Sequence, residues 1–270
     1  MSIDLDAYFR RIGYDGPREA KFETLGAINR LHPQAIAFEN LDPLMGVPVP
    51  LDTASLERKL VRAGRGGYCY EHNLLLGEAL KALGFAVTGL AGRVIKDPPA
   101  TGPRARTHML LKLDLDGNPH IVDVGFGIAA LTAPVRLEPD IAQPTPHETV
   151  RLIETDGEFE MQAQVGGAWV PLYRFDLQEQ LLQDYEVCNW YMSTHPSSQF
   201  VAELMVSRAD AGCRHALRGN RYTLRPGAGP AEARTIDTVA DMRKTLQEVF
   251  RITLPDTGQL DEALRRIVAG

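Results

Sequence analysis

The spacing of the apolar residues changes near residue 85, and this change constrains the fold more than any other feature of the sequence. Earlier in the chain the apolar residues recur with helical spacing. From Phe85 onward they tend to alternate with polar residues, which indicates strands joined by turns such as Asp116-Gly117 and Gly166-Gly167. The order of helices, then strands, then a mixed end does not alternate as a doubly wound sheet would. We therefore expect an α+β protein.

The predicted elements divide the chain into three domains. We expect a helical domain over residues 1–84, an antiparallel β-barrel over 85–190 and an α/β lid over 191–270. A loop rich in proline, glycine and arginine spans residues 96–106, and a hairpin turns at Gly219-Asn220. Helices are predicted at about 4–12, 18–31, 53–63, 69–83, 178–191, 238–250 and 259–268.

Composition and charge exclude several classes of protein. The chain has 270 residues and a formal net charge of -6 with both signs mixed along it, which gives no footprint for nucleic acid. No apolar run approaches the roughly 20 residues that span a bilayer, and the N-terminus lacks the pattern of a signal peptide. Three cysteines without CxxC spacing argue against disulfides and against a metal site. We expect a cytoplasmic protein with free thiols, and nothing here indicates its oligomeric state.

The segment RGGYCYEHN, residues 65–73, places Cys69 directly after a glycine-rich turn and at the start of a predicted helix. The free backbone N–H groups of a first helical turn favour negative charge, and a thiol is a good nucleophile only as its thiolate. We interpret Cys69 as a candidate nucleophile. The alternative is an ordinary buried cysteine, which is the more common role for this residue type.

A nucleophilic thiol needs a base and a group that orients the base. His108 begins the predicted strand THMLLKLDL, and a two-residue turn at Asp116-Gly117 would pair Leu115 with Asn118. That register places His108 and Asp123 on one face of the hairpin as diagonal neighbours. A loop one residue longer would place them on opposite faces, and they would then be an unrelated pair.

Five segments, in this order along the chain, together resemble the arylamine N-acetyltransferases: AFENLD at 37–42, RGGYCYEHN at 65–73, THMLL at 107–111, VDVGFG at 122–127 and NWYMSTHPSSQF at 189–200. The resemblance implies a papain-like catalytic core with the triad Cys69, His108 and Asp123. It also implies ping-pong transfer of acetyl groups from acetyl-CoA to arylamines or arylhydrazines, with no metal, in xenobiotic metabolism.

The same resemblance implies further contacts. Phe38, Ile95 and Phe126 would line the acceptor pocket, and Thr107, Gly127 and His195 would contact the coenzyme. Independently, the cations of the 96–106 loop and its flanks are candidates for the coenzyme phosphates; they are Arg93, Lys96, Arg104 and Arg106.

Three other functions remain open at this stage. A transglutaminase- or protease-like hydrolase would keep the same triad, and an amide synthase would use a larger acyl group. A non-catalytic binding domain would leave Cys69 inert. Cys188 and Cys213 lack a glycine turn and are predicted to be structural thiols.

Overall fold

The computed structural model describes residues 3–96, 102–227 and 229–269. The helices are α1 Leu5–Ile12, α2 Phe22–Ala35, α3 Leu41–Met45, α4 Thr53–Leu56, α5 Cys69–Ala82, α6 Leu182–Thr194, α7 Gln199–Ala202, α8 Val239–Lys244 and α9 Gly258–Ala269. Helices α4 and α8 continue as wider π-helical turns over Glu57–Arg62 and Thr245–Val249. Within the described residues no helix is both long enough and apolar enough to cross a membrane.

The strands form two antiparallel sheets. They are β1 Phe38–Glu39, β2 Ala86–Val94, β3 His108–Leu115, β4 Asn118–Val122, β5 Val135–Arg136, β6 Gln143–Pro144, β7 Thr149–Thr155, β8 Glu158–Val165, β9 Ala168–Phe175, β10 Met205–Asp210, β11 Cys213–Arg218, β12 Arg221–Pro226 and β13 Glu232–Thr235. The larger sheet has the order β5-β4-β3-β2-β9-β8-β7-β6. Its edge strands approach each other, because the Gln143 side chain bonds to both the N–H and the carbonyl of Arg136. The sheet is therefore a nearly closed barrel.

The predicted hairpin turns are present in the barrel. Asp116 and Gly117 both have positive φ, as the two central residues of a type I′ turn require. The ladder pairs Leu115 with Asn118, so the register predicted from that turn is confirmed. Residues 97–101 of the predicted 96–106 loop lie outside the described residues.

The smaller sheet joins distant parts of the chain. Its order is β1-β10-β11-β12-β13, and Phe38 of β1 pairs with Ser207 of β10. An N-terminal segment therefore forms the edge of a sheet otherwise built from the last quarter of the chain. The predicted hairpin at Gly219-Asn220 is confirmed, whereas β1, β10 and β13 were not predicted. The domain boundaries at residues 84 and 190 stay a prediction.

Two predicted helices begin at the wrong residue. Helix α2 starts at Phe22 rather than at residue 18, and the exposed residues before it have no apolar face to bury. Helix α6 starts at Leu182 rather than at residue 178, because the Asp184 carboxylate accepts from the N–H of Leu181 and caps the helix there. Helix α4 is capped by Asp52, whose carboxylate accepts from the N–H of Ser55.

Three apolar clusters hold these layers together. One packs α1, α2 and α5 against β3, the second packs the smaller sheet against α8 and α9, and the third fills the barrel. Helix α5 contacts both β2 and β3, and its first residue, Cys69, contacts the carbonyl of Thr107. The packing therefore brings Cys69 next to the start of β3.

Candidate active site

Cys69 is the first residue of α5 and is buried. The residue before it, Tyr68, has extended backbone, and its N–H donates to the Glu71 carboxylate at 3.1 Å. This hydrogen bond caps the helix at its first turn. The Cys69 Sγ lies 3.8 Å from the carbonyl oxygen of Thr107, the residue directly before β3. The helix start thus holds the thiol against the strand that carries His108.

The glycine turn before Cys69 is packed against β1. A Cβ on Gly66 would lie 2.0 Å from the carbonyl oxygen of Ala37, so only glycine allows this approach. Beneath the turn the Arg65 guanidinium binds Glu39 at 2.9 Å and Asp42 at 2.8 Å. Arg65 therefore forms buried ion pairs with both carboxylates. These contacts hold the turn in place at the start of α5.

His108 and Asp123 are in contact. The Nε2 atom of His108 lies 2.7 Å from Oδ2 of Asp123, and both side chains are buried. The β3–β4 ladder ends at the pair Leu111–Val122, so Asp123 lies just beyond β4 rather than opposite Leu110. The chain leaves the ladder there and the Asp123 carbonyl accepts from Leu131. The shared face predicted from the register nevertheless brings the two side chains together.

The Asp123 carboxylate is held by three groups. Its Oδ1 accepts from Nδ2 of Asn73 and from the N–H of Gly125, each at 3.0 Å, and its Oδ2 faces His108. Burial alone would raise the pKa of Asp123. The positive charge of His108 and these hydrogen bonds outweigh burial and hold the pKa of Asp123 below its usual range. The carboxylate is therefore ionised at neutral pH.

The environment of His108 favours its charged form. Burial acts to lower the pKa of His108, but the Asp123 carboxylate and hydrogen bonds to Asp123 and Cys69 raise it to about 10. Because Nε2 faces Asp123, the nitrogen left for Cys69 is Nδ1. The imidazole ring packs against Phe126 and Tyr173, with centroids at 4.8 and 4.9 Å, and these two rings also contact each other. The aromatic contacts help to fix the orientation of the imidazole.

Gly125 allows the loop after Asp123 to lie against α5. A Cβ there would be 2.7 Å from the Cα of Cys69 and 2.7 Å from Nδ2 of Asn73. Asn73 also donates to the carbonyl of Met109 at 2.7 Å. The glycine therefore allows the close approach of helix α5.

A cavity of about 410 Å³ opens onto Cys69 and His108. Of the predicted contact residues, Phe38, Phe126, Thr107 and Gly127 line it. Val94 lines the wall in place of its neighbour Ile95, because successive residues of an extended segment face opposite sides.

His195 is not among the described residues that line this cavity. It is exposed at the end of α6, where its ring stacks on Tyr191 and accepts from the N–H of Ser197. The predicted contacts of Ile95 and His195 with the substrates stay predictions.

The cations around the cavity differ in part from those expected. Lys96 and Arg104 line it, whereas Arg93 and Arg106 line a separate depression beside Cys188. Three further arginines, on β11 and β12, complete the wall; they are Arg218, Arg221 and Arg225. Sequence reasoning missed them, because only the pairing of the smaller sheet brings this hairpin to the cavity.

Ser207 of β10 is a second residue that sequence reasoning missed. It lines the cavity and is only 5% exposed, yet its hydroxyl has no hydrogen-bond partner among the described residues. A buried unpaired hydroxyl is unfavourable unless a ligand or water satisfies it.

No three acidic, histidine or cysteine side chains in the described ranges are grouped as metal ligands.

Comparison with known proteins defines first a class and then a family. A family model described as N-acetyltransferase matches residues 21–259, which makes the chain an acyltransferase. The arylamine N-acetyltransferase of Mycolicibacterium smegmatis is 42% identical over 269 residues, covering 98% of both chains. That of Escherichia coli is 38% identical over 264 residues, covering 95% of this chain and 91% of the other.

Solved structures agree with the sequence matches. The structure of Mycobacterium marinum arylamine N-acetyltransferase in complex with CoA has a TM-score of 0.93 and 39% identity, covering 98% of this chain and 99% of that one. The chain belongs to the arylamine N-acetyltransferase family, as its motifs had suggested. The predicted combination of a helical part, a barrel-like sheet and an α/β end is confirmed as well.

Proposed function

We propose that this chain transfers acetyl groups from acetyl-CoA to arylamines and arylhydrazines by a ping-pong mechanism through an acetyl-Cys69 thioester. The observation that carries the proposal is the buried pair of His108 and Asp123, 2.7 Å apart, beside Cys69 on the wall of the 410 Å³ cavity. A thiol, an imidazole and a carboxylate in this order form the arrangement of cysteine acyl-transfer enzymes.

In the first half-reaction the Cys69 thiolate attacks the acetyl carbonyl of the donor. The raised pKa of His108 supports an imidazolium at neutral pH, which stabilises the neighbouring thiolate. A C–S bond to Cys69 forms, the C–S bond to the coenzyme breaks, and the imidazolium gives its proton to the departing coenzyme thiolate. Asp123 fixes the ring throughout and stabilises its charge.

In the second half-reaction the acceptor nitrogen attacks the acetyl-Cys69 carbonyl. His108 is neutral at this point, because it has given its proton to the coenzyme. The acylated sulfur of Cys69 carries no negative charge that would favour an imidazolium. The neutral imidazole can therefore accept the proton of the attacking amine. A C–N bond forms, the C–S bond breaks and Cys69 leaves as the thiolate, which restores the ion pair.

The donor end of the cavity suits a polyanionic coenzyme. Arg221 and Arg225 are exposed, and neither forms an ion pair with another described residue. Guanidinium groups recognise phosphates well, since they are planar and permanently charged. The unpaired hydroxyl of Ser207 offers a hydrogen bond to the coenzyme arm, beside Thr107 and Gly127. The Mycobacterium marinum relative was solved in complex with CoA, which supports acetyl-CoA as the donor.

The acceptor end suits a flat aromatic amine. Phe38 and Phe126 line the cavity near the triad, and aromatic walls favour planar apolar ligands. Arylamines are largely neutral at neutral pH, so their binding does not require a charged group to be desolvated. The neutral nitrogen also has a free electron pair for attack. The named activity of the relatives supports this substrate class.

Intact-mass measurement after incubation with acetyl-CoA tests the proposal. We expect an adduct of roughly 42 Da on native protein, as a covalent acetyl intermediate requires, and none on Cys69→Ser. Addition of an arylamine should discharge the adduct and yield the acetylated amine. Absence of an adduct, or its rapid loss to water without acceptor, would contradict the transferase mechanism and favour a hydrolase.

A further inference from the structure

Three buried side chains, Tyr8, His32 and His72, form a hydrogen-bonded series that includes a residue of α5. None of them takes part in the proposed acetyl transfer. The Tyr8 hydroxyl of α1 lies 2.8 Å from Nδ1 of His32 in α2. Nε2 of His32 lies 2.9 Å from Nδ1 of His72 in α5, and Nε2 of His72 lies 3.1 Å from the carbonyl oxygen of Ala37. All three side chains are fully buried. The contacts link two outer helices to the segment that leads into β1.

While both imidazole rings are neutral, each proton in this hydrogen-bonded series has only one possible position. The Ala37 carbonyl can only accept, so Nε2 of His72 carries the hydrogen and its Nδ1 accepts. His32 must then donate from Nε2 and accept at Nδ1 from Tyr8. Burial lowers the pKa of His72 to about 4 and that of His32 well below its ordinary value, so both rings are neutral at pH 7. Burial also raises the pKa of Tyr8, which keeps its hydroxyl a donor.

The last acceptor of this series, the Ala37 carbonyl, lies next to a residue of the cavity wall. The Ala37 carbonyl also accepts from the N–H of Gly67 at 3.3 Å, in the turn before Cys69. The next residue, Phe38, stacks on the His72 ring with centroids 6.4 Å apart and planes inclined by 10°, and it lines the cavity. His72 therefore supports the Ala37–Phe38 segment through both a hydrogen bond and a ring contact.

We propose that Tyr8, His32 and His72 form a positioning relay that fixes the Ala37–Phe38 segment and so sets the aromatic wall that receives the acceptor. The effect on acceptor affinity rests on the proposed function, whereas the proton positions do not. The relay acts through Phe38 and touches no substrate. Loss of the bond to Ala37 should therefore weaken acceptor binding and leave the acetylation of Cys69 by acetyl-CoA unchanged.

Two substitutions of His72 separate the hydrogen bond from the bulk of the ring. His72→Gln carries an amide nitrogen close to the position of Nε2 and can still donate to Ala37. His72→Asn is shorter, and its amide reaches only the position of Nδ1. We expect His72→Asn to raise KM for the arylamine about fivefold, the effect of one lost buried hydrogen bond. His72→Gln should largely restore it. The rate of Cys69 acetylation should match native protein in both.

Selective ¹⁵N labelling of histidine in the full chain supplies a readout independent of catalysis. Native protein should show His32 and His72 neutral at pH 7 with the proton on Nε2. Tyr8→Phe removes the donor to His32 with little change in volume. Because Nδ1 of His72 still accepts from Nε2 of His32, the His32 proton should stay on Nε2, and only the resonance of its Nδ1, which loses its hydrogen bond, should shift. If the His72 variants fold poorly, this variant and the native tautomers decide the matter.

Three results would overturn the relay. They are a native His72 protonated on Nδ1, equal acceptor KM in the Asn and Gln variants, and a His32 in Tyr8→Phe that carries its proton on Nδ1. Failure of the proposed function would look different, since native protein would then form no acetyl-Cys69 while the tautomers stayed as predicted.

Discussion

The side-chain amide of Asn73 donates to Oδ1 of Asp123 at 3.0 Å, so the helix that begins at Cys69 also holds the carboxylate beside His108. The same amide donates to the carbonyl of Met109, and the Asn73 Oδ1 accepts from the N–H of Val124 at 3.1 Å. One side chain thus connects α5 to β3 and to the loop after β4. The relative positions of the three triad candidates depend on it.

Replacing Asn73 with Ala should therefore reduce both stability and activity. The substitution leaves buried partners of three hydrogen bonds unsatisfied, which should lower the free energy of unfolding by about 3 kcal/mol. Urea unfolding measures the stability, and the acetylation rate of Cys69 measures the effect on the site. Asn118→Ala, at an exposed hairpin position, is the matched control and should change neither quantity appreciably. Equal effects of the two substitutions would show that Asn73 does not connect these elements.

The His108–Asp123 pair should make stability depend on pH in a defined window. A histidine with a raised pKa stabilises the fold below its unfolded value of 6.5 and loses that contribution as pH rises toward about 10. An aspartate with a lowered pKa stabilises above its unfolded value of 3.8 and loses that contribution as pH falls. The pair is therefore most stabilising between about pH 4 and 6.5.

Urea unfolding of native protein and His108→Gln at intervals from pH 4 to pH 10 tests this window. We expect the difference in free energy of unfolding to be largest near pH 5 and to shrink above pH 6.5. In an Asp123→Asn background the same comparison should lose most of its pH dependence, because the interaction is then absent from both proteins. A difference that grows with rising pH would contradict the assigned charges.

The triad candidates could be predicted because each depends on local pattern. Cys69 follows a glycine turn at a helix start, and a single two-residue turn places His108 and Asp123 on one face. The cavity wall could not be predicted in the same way. Phe38 pairs with Ser207 across most of the chain, and only this pairing brings Arg221 and Arg225 toward the thiol.

Two predicted contact residues, Ile95 and His195, do not line the cavity. Ile95 and Val94 differ by one position, yet in extended backbone one step changes which side a residue faces. His195 lies in a motif that resembles the family, but its ring stacks on Tyr191 at the surface. Its predicted contact with the coenzyme stays a prediction.

Alkylation should distinguish the three thiols. Burial raises the pKa of Cys188 and of Cys213, so both are mostly protonated at neutral pH. Cys69 lines the cavity, and the proposed mechanism assigns His108 to its activation. Iodoacetamide at pH 7 should therefore modify Cys69 well before the other two, as peptide mass mapping over time would show. His108→Gln should remove this preference, and equal rates for the three thiols in native protein would argue against an activated nucleophile.

The arginines of β12 should determine the affinity for the donor. Arg221→Ala and Arg225→Ala should each raise KM for acetyl-CoA by roughly three- to tenfold at low salt, because each removes a charge-assisted contact to phosphate. The effect should diminish at high ionic strength. Arg218→Ala is the matched control, since Arg218 is already paired with Glu203 at 2.9 Å and should have a smaller effect. An acetyl thioester of N-acetylcysteamine, which has no phosphates, should be used equally well by native protein and by all three variants. A KM that rises equally for this short thioester would show that the arginines act on the shape of the cavity and do not bind phosphate.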